Sequence, residues 1–219
     1  MKNLLIDLDN TIYSETEDIF SQIDLKMKSF ISSELNVNIK KAYEIQKKYF
    51  FKYGTTLRGL MVNHNIEPSY FLKYVHDINL KPIEKNLALK REMKKFKGKK
   101  IIFTNGTAEH ATNVLKRVGV FEEIDNIFDI KDAEYIPKPE ELPYKKVVNK
   151  FKIIPHNAVM IDDITGNLVT AKKLGFGTVL VSKKQSHLKN NLIDYSFKDI
   201  TSIIKKINNK DIFNENEKA

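Results

Sequence analysis

The hydrophobic positions of this chain follow two different periods, and the change between them divides the sequence. Residues 2–7 form a short apolar run typical of a buried strand. From residue 14 to about residue 97, apolar residues recur at helical spacing without a convincing strand. After Gly98, short apolar runs alternate with helical segments. This alternation predicts a parallel sheet with helices on both faces.

Several helices are predicted between the first strand and Gly98. The first follows a capping-box pattern at residues 14–17, in which a serine and a glutamate three residues later satisfy early amide groups. The second begins near Asn38 and ends at Gly54, a residue type that commonly terminates helices. Shorter helical segments are predicted at about 55–64, 68–78 and 84–97.

Strands and helices alternate after Gly98. The predicted segments are KKIIF, AEHATNVLKRVG, NIFDI, PYKKVVNKF, AVMIDD, NLVTAKKLG and GTVLVS, while the tail NNKDIFNENEKA is expected to be frayed. We therefore predict an α/β protein with a three-layer, Rossmann-like parallel-sheet core formed by residues 1–13 and 93–219. An all-helical cap, residues 14–92, is inserted after the first strand.

The net charge of +9 raises the question of nucleic-acid binding. Lysines are scattered over nearly every segment, and arginine occurs only at positions 58, 91 and 117. A nucleic-acid binder usually concentrates its charge, often as arginine, in one stripe. We therefore expect no nucleic-acid partner, and steeply salt-dependent affinity for oligonucleotides would contradict this expectation.

The absence of cysteine and the pattern of the first residues indicate the cellular compartment to expect. The chain contains no cysteine, which excludes disulfides and thiol nucleophiles and agrees with a reducing environment. The apolar run that ends at Asp7 is too short for a signal-peptide core or a membrane span. We expect a cytoplasmic monomer or homodimer with no membrane partner.

Acidic and polar residues follow several of the predicted strands. Asp7 and Asp9 interrupt the first apolar run, where an unpaired carboxylate would be costly to bury. In open parallel sheets, ligands bind beyond the carboxyl ends of the strands. We therefore expect one site to collect the polar residues at these ends and one loop lysine: Asp7, Asp9, Thr104, Asn105, Lys138, Asp162 and Asp163.

Phosphoryl transfer through an aspartate nucleophile is the chemistry that uses this set. Asp7 would attack phosphorus, and water would then hydrolyse the acyl phosphate. Asp7 and Asp162 would repel a phosphate dianion unless a divalent cation neutralised them, and Mg²⁺ prefers such oxygen ligands. Thr104 and Lys138 would offset charge on the phosphoryl oxygens. Asp9 would protonate the leaving alkoxide and later deprotonate the attacking water.

Each motif alone has a simpler interpretation. Paired aspartates also cap helices, and Thr104 can belong to an ordinary strand-to-helix turn. Lys138 lies in the proline-bounded loop PKPEELP and is one lysine of many. Asp162 and Asp163 are more informative, because adjacent acids at a buried strand end are costly without a cation. Their joint occurrence at strand ends, in this order, favours the catalytic interpretation.

The four segments resemble, in the same order, the four motifs of the haloacid dehalogenase (HAD) superfamily. The matching stretches are LLIDLDNT, IIFTN, the lysine of IPKP, and VMIDD, and the helical insertion resembles the superfamily's mobile helical C1 cap. The resemblance spans almost the whole chain. It implies a phosphatase, because dehalogenases lack an acid at the position of Asp9, where halide leaves without needing a proton.

The resemblance also implies a role for each matching residue. Asp7 is the nucleophile and Asp9 the acid/base. Mg²⁺ would be held by Asp7, by Asp162 and by the main-chain carbonyl of Asp9. The residues expected to bind phosphate are Thr104, Asn105 and Lys138. The residues expected to support the site from behind the metal ligands are Asp163 and Asn167.

The stretch KYFFKYGTTLRGLMVNHNI resembles the cap of the pyrimidine 5'-nucleotidase subgroup, in which a tyrosine-rich helix, a glycine and an Arg-Gly-Leu triplet recur. The matching positions are Tyr49, Tyr53, Gly54, Arg58, Gly59, Leu60 and His64. A guanidinium can bind a base carbonyl or a phosphate, and an aromatic ring can stack on a pyrimidine. Arg58, Tyr53 and His64 are therefore candidate substrate contacts, with packing inside the cap as the alternative for the tyrosine and the histidine.

The sequence thus predicts a Mg²⁺-dependent phosphomonoesterase whose favoured substrate is a pyrimidine nucleoside monophosphate. Members of the resembling subgroup are also associated with pyridoxal phosphate and nicotinamide mononucleotide, so another small phosphorylated metabolite, including a sugar phosphate, stays open. An alternative of another class is a non-catalytic phosphate-binding or regulatory protein, such as a receiver-like phosphoacceptor.

Overall fold

Parallel strands form the centre of the computed structural model, which describes residues 3–183 and 192–213. The strands are β1 (Asn3–Ile6), β2 (Lys99–Phe103), β3 (Asn126–Phe128), β4 (Ala158–Asp162), β5 (Gly177–Val181) and β6 (Tyr195–Phe197). They form one sheet in the order β3-β2-β1-β4-β5-β6, and every pairing is parallel. The predicted parallel sheet is confirmed, and β6 is a strand that the sequence pattern did not indicate.

Helices connect the strands and form the long insertion. They are α1 (Ile19–Glu34), α2 (Ile39–Tyr53), α3 (Thr56–His64), α4 (Pro68–Val75), α5 (Leu87–Lys95), α6 (Ala108–Val118), α7 (Glu141–Phe151), α8 (Thr165–Lys173) and α9 (Ile200–Asn208). Short 3₁₀ turns occur at Glu15–Glu17, Phe121–Glu123 and Pro155–Asn157. Within the described ranges, no helix is long and apolar enough to cross a bilayer.

The helix boundaries follow from local chemistry at their ends. The Asn38 side chain accepts a hydrogen bond from the Lys41 amide, and α2 ends at Gly54, whose φ of 81° suits a residue without a side chain. The capping box of Ser14 and Glu17 forms as predicted, but it closes a 3₁₀ turn. α1 begins only after Asp18, so the turn is a separate element.

Two apolar layers cover the two faces of the sheet. Successive residues of β1 point to opposite faces, so Leu4 and Ile6 join one layer and Leu5 joins the other. The first layer contains buried residues of α5, α6 and α9, and the second contains buried residues of α7 and α8. This arrangement is the predicted three-layer α/β core.

The helices α1 to α4 have an apolar core of their own. Phe30 of α1 packs against Phe71 of α4 with ring centroids 5.0 Å apart. Gly59 of α3 is required by a close approach to α2, because an added Cβ would lie 2.3 Å from the Cβ of Tyr49. Ile130, from the loop after β3, is buried in the same cluster, so these helices also contact the sheet domain.

Two sequence-based boundaries need correction. The predicted cap boundary at residue 92 falls inside α5, whose Leu89 and Met93 are buried with the sheet layer, so packing favours a boundary between α4 and α5. Part of the tail predicted to be frayed is also packed. After α9, Lys210 takes a left-handed conformation, and Ile212 then returns to the apolar layer and is buried. Residues 214–219 of this tail lie outside the described residues.

Candidate active site

The strand register brings the predicted site residues to one edge of the sheet. Ile6, the last residue of β1, pairs with Ile102 on one side and with Ile161 on the other. The Asp7 amide continues this pairing by donating to the Ile161 carbonyl at 2.9 Å. Asp7 therefore emerges between the ends of β2 and β4, which carry Thr104 and Asp162.

The ammonium of Lys138 is the centre of the site. It is almost fully buried and donates three hydrogen bonds of 2.8 Å, to Asp7 Oδ1, to Asp162 Oδ2 and to the carbonyl of Phe103. Burial would lower the pKa of Lys138, but the carboxylates of Asp162 and Asp7 outweigh it and hold the pKa above its usual value. Lys138 is therefore a permanent positive charge shared by two carboxylates.

Asn105 fixes the main chain of Lys138. Its amide oxygen accepts from the Lys138 amide at 2.9 Å, and its amide nitrogen donates to the Lys138 carbonyl at 3.2 Å. These bonds hold the side chain of Asn105 against the main chain of Lys138, a positioning role that the sequence did not predict, and its phosphate contact stays a prediction. Thr104 is buried, and its hydroxyl oxygen accepts from the Gly106 amide at 2.9 Å.

A group of three carboxylates forms the candidate metal site. Ligand oxygens of Asp7, Asp162 and Asp163 all lie within 4.8 Å of one another. Asp163, predicted to act from behind the ligands, lies within this group, and its role towards a metal stays a prediction. The Asn167 amide donates to both oxygens of Asp162, at 2.9 and 3.0 Å, which is the contact expected of a supporting residue.

The charge of this group fits a divalent cation. Burial raises the pKa of Asp7 well above its usual value, and the charges of Asp162 and Asp163 add to this although Lys138 opposes it. Burial and then the charge of Asp162 raise the pKa of Asp163 to about 7. Three carboxylates carry more negative charge than the single ammonium of Lys138 can balance. Such a group of oxygen ligands is the kind that Mg²⁺ binds.

The carboxylate of Asp9 is held separately from this group. Asp9 Oδ1 accepts from the Tyr13 hydroxyl at 2.7 Å and from His110 Nε2 at 2.9 Å. Burial would raise the pKa of Asp9, but the charge of His110 and the bonds from His110 and Tyr13 hold the pKa below its usual value. The ring of His110 stacks on that of His76, with centroids 4.3 Å apart and planes 6° from parallel.

Tyr13, His76 and His110 were not among the residues predicted from the sequence. His110 lies on the buried face of α6, and the only sequence signal was a histidine on the helix that follows the second motif. Tyr13 is four residues after Asp9, and this spacing in a loop does not by itself predict a contact between the two side chains. His76 is separated from Asp9 by the whole helical insertion, so nothing local could connect them.

The structure places the predicted substrate contacts of the cap helices in two different regions. Gly54, at the turn between α2 and α3, lies against the Lys138 loop, because an added Cβ would be 3.4 Å from the Lys138 carbonyl oxygen. Tyr53 precedes this turn and donates to Asn63 Oδ1 at 3.3 Å, and Arg58 is in the first turn of α3. His64 is at the far end of α3, where Nε2 lies 2.7 Å from the Tyr49 hydroxyl. The turn that follows Tyr53 is thus close to the Lys138 loop, whereas His64 is engaged in packing α3 on α2.

Comparison with known proteins identifies the family. The family model for haloacid dehalogenase-like hydrolases matches residues 1–175. This chain belongs to the haloacid dehalogenase-like hydrolases. The chain is also similar in sequence to Phosphate metabolism protein 8 of Saccharomyces cerevisiae, with 26% identity over 230 residues that cover 97% of this chain and 68% of that protein.

Solved structures agree on the fold of this haloacid dehalogenase-like hydrolase. The HAD phosphatase from Thermococcus onnurineus matches with a TM-score of 0.63 and 20% identity, covering 94% of this chain and 97% of its own. The L-2-haloacid dehalogenase from Xanthobacter autotrophicus, with chloropropionic acid covalently bound, matches with a TM-score of 0.60 and 12% identity, covering 94% and 98%. The same fold therefore serves a phosphatase and a dehalogenase, and the site residues must distinguish them.

Proposed function

We propose that this hydrolase is a phosphomonoesterase that acts through an aspartyl-phosphate formed on Asp7. The observation that carries the proposal is the buried ammonium of Lys138, bonded to Asp7 Oδ1 and Asp162 Oδ2. It orients Asp7 by one oxygen and leaves the other carboxylate oxygen to attack phosphorus. Its charge also offsets the negative charge that accumulates on phosphoryl oxygens during transfer.

Asp9 supports a phosphatase over a dehalogenase. An alkoxide leaving group must be protonated and the attacking water deprotonated, and Asp9 is an acid held apart from the nucleophile. Without other charges in the site, burial raises the pKa of Asp7, while His110 and Tyr13 hold the pKa of Asp9 below its usual value, so neither environment alone favours the form that its role needs. A bound divalent cation would lower the pKa of Asp7 and so favour the charged nucleophile. A bound phosphate dianion would raise the pKa of Asp9 and so favour its protonated form.

Mg²⁺ is the cofactor that we propose for this enzyme. Asp7 and Asp162 would hold it, with the Asp9 carbonyl as predicted and with Asp163 as a further candidate ligand. When bound, the ion would neutralise the carboxylates and polarise a phosphoryl oxygen. Both proton transfers, to the leaving group and from the attacking water, are assigned to Asp9.

Release of inorganic phosphate is the direct test of the activity. A screen across nucleoside monophosphates, sugar phosphates and vitamin phosphates, with and without Mg²⁺, is expected to show Mg²⁺-dependent hydrolysis of small phosphate monoesters. Phosphate binding without turnover of any compound would favour the non-catalytic alternative.

Binding of Mg²⁺ is expected to stabilise the protein without any substrate. At 100 times its dissociation constant, a ligand adds about 2.7 kcal/mol, which raises the Tm of a chain of this size by roughly 5–10 °C. Calorimetry with Mg²⁺ and with EDTA measures this shift. Asp163→Asn should reduce the shift by at least about half, because it removes one of the three clustered carboxylates.

Asp211→Asn is the matched control for this measurement, because Asp211 is exposed beyond α9. It should keep the full Mg²⁺-dependent shift. A parent protein whose Tm does not respond to Mg²⁺, or an equal reduction in both variants, would contradict the metal site.

A pyrimidine nucleoside monophosphate is the substrate that we propose. The contact of Gly54 with the Lys138 loop supports it, because it brings the start of α3, which carries Arg58, towards the phosphate side of the site. Tyr53 immediately precedes this turn and can contribute an aromatic surface. His64 is no longer included in the proposal, since its imidazole is engaged with Tyr49.

Arg58→Ala is expected to raise KM for UMP and CMP by about 10-fold or more, with little change for p-nitrophenyl phosphate. The physical reason is that a guanidinium can bond a base carbonyl that the artificial ester lacks. Steady-state kinetics on both substrates measure the difference. Arg91→Ala, an exposed arginine of α5, is the matched control. Equal effects of Arg58→Ala on both substrates would reject base recognition and favour another small metabolite.

A further inference from the structure

Of the two chain connections between the sheet and the helices α1 to α4, one contacts Asp9 directly and the other contacts His110, a partner of Asp9. The first connection leaves β1 and carries Tyr13, whose hydroxyl donates to Asp9 Oδ1. The second connection begins at His76, immediately after α4, and its ring stacks on His110. His110 Nε2 donates to the same oxygen of Asp9. We call Tyr13, His76 and His110 the Asp9 clamp.

We propose that the Asp9 clamp is a positioning device that orients the catalytic acid only while the cap helices are seated on the sheet. This inference rests on the phosphatase function proposed above. It assigns Tyr13, His76 and His110 to the proton-transfer step, although none of them is expected to touch the phosphoryl group. Closure of the cap and protonation of the leaving group are thereby coupled.

The geometry explains why Asp9 needs such a device. Its side chain is 18% exposed, and the terminal torsion of an aspartate side chain is broad unless its oxygens are held. Both donors of the clamp bond Oδ1, which fixes the plane of the carboxylate and reserves the other oxygen for proton exchange. A misorientation of about 1 Å can cost on the order of 100-fold in rate, so this constraint has kinetic weight.

The two histidines belong to different parts of the molecule. His110 is buried on α6, which packs against the sheet. His76 follows α4, whose Phe71, Leu72 and Val75 are buried in the separate core of the cap helices. Any movement of α4 relative to the sheet would therefore separate the stacked rings and release one side of His110.

Two further contacts indicate that the stack is a defined arrangement. His76 Nδ1 lies 3.3 Å from the Thr107 hydroxyl, at the start of α6. Burial, with a smaller effect of the charge of His110, lowers the pKa of His76 to about 3, so His76 is neutral and the stack does not oppose two cations. The rings can thus pack face to face at 4.3 Å.

The leaving group provides a test that separates positioning from general stability. Glycerol 2-phosphate releases a strongly basic alkoxide that needs a proton, whereas p-nitrophenyl phosphate releases a weakly basic phenolate that does not. The ratio kcat/KM covers the reaction up to formation of the acyl phosphate, so the later hydrolysis step does not obscure the comparison. Neither compound contains a nucleobase, so recognition of a nucleobase does not affect the comparison.

Variants of the clamp on the sheet side are expected to affect the two substrates differently. Tyr13→Phe and His110→Phe should lower kcat/KM for glycerol 2-phosphate about 10- to 100-fold and for p-nitrophenyl phosphate less than about threefold. His110→Gln, which keeps a donor near the position of Nε2, should recover part of the loss. Because Tyr13→Phe removes a single hydroxyl, it carries the test even if His110→Phe fails to fold.

The cap side of the clamp is tested with His76. His76→Ala removes the stacked ring and should lower kcat/KM for glycerol 2-phosphate about 3- to 10-fold while sparing p-nitrophenyl phosphate. His76→Phe keeps a ring in the stack and should act nearly as the parent. His156→Gln, an exposed histidine before β4, is the control and should change neither substrate.

The outcomes separate this inference from the proposed function. Equal losses on both substrates for Tyr13→Phe and His110→Phe would assign the clamp to stability alone and overturn the inference. A parental substrate ratio for His76→Ala would overturn the coupling to the cap. If the parent hydrolyses neither compound nor any ester of the screen, the phosphatase function itself fails. Selective losses in all three variants support the clamp.

Discussion

Asp7→Asn is expected to lower kcat for phosphate-ester hydrolysis by at least about 10⁴-fold. An amide is not a nucleophile towards phosphorus, so the acyl phosphate cannot form and the reaction is not divided into two steps. The loss should be the same for alkyl and aryl esters, because both require the nucleophile. Phosphate release by the purified variant, measured with saturating Mg²⁺, checks this expectation.

The same variant should remain folded. Burial and the neighbouring carboxylates already disfavour the charge of Asp7, and Lys138 would keep its bonds to Asp162 and to the Phe103 carbonyl. We therefore expect a Tm in EDTA equal to or above that of the parent. Asp211→Asn is again the control and should leave kcat unchanged.

A covalent probe identifies the nucleophile independently. In the parent, beryllium fluoride or a trapped substrate should occupy or modify Asp7, as seen in a crystal structure or by mass spectrometry of peptides. A folded Asp7→Asn protein with near-normal turnover, or label on another residue, would contradict the assignment.

Lys138→Met is expected to reduce both stability and activity. Removing one member of a buried ion pair costs about 3–5 kcal/mol, because Asp7 and Asp162 would lose their shared positive charge. For a chain of this size, this corresponds to a fall in Tm of roughly 6–20 °C. The value of kcat should fall about 10²- to 10³-fold, since the ammonium also offsets charge on the phosphoryl oxygens.

Mg²⁺ should restore part of the lost stability but not the activity. The ion can neutralise the same two carboxylates, whereas it cannot replace the hydrogen bond that orients Asp7. Denaturation with and without Mg²⁺ measures this difference. The control is Lys145→Met, on the exposed face of α7, whose pair with Glu141 is a surface contact of little energetic value. A Lys138→Met protein with parental Tm and kcat would remove the central argument for the site.

Much of the fold could be predicted because it depends on local patterns. The boundaries of α2 follow from Asn38 and Gly54, two residues that act on their own neighbours. The strand β4 is a run of apolar residues that ends in acids. The short strand β6 is partly exposed and has no comparable pattern. The packed end of the tail was missed because Ile212 and Phe213 are surrounded in sequence by polar residues.

The candidate site divides in the same way. Asp7, Thr104, Lys138 and Asp162 could be chosen from the sequence because each lies at or near the end of a recognisable strand or in a motif. The distances between them could not be predicted, because the hydrogen bond between Lys138 and Asp7 joins residues 131 positions apart in sequence. Two further contacts also depend on how the strand ends meet. Asp163 lies in the group of three carboxylates, and the side chain of Asn105 bonds the main chain of Lys138.

The sequence by itself determined the class of fold, the insertion of helices after the first strand, and the residues able to carry out phosphoryl chemistry. Only the tertiary structure decided that Asp9 is held by Tyr13 and His110 and that His76 reaches this pair from the cap helices. The reason is physical. Periodicity and capping act within a few residues, whereas the contact of His110 with Asp9 spans 101 positions and exists only after the sheet and the helices have packed.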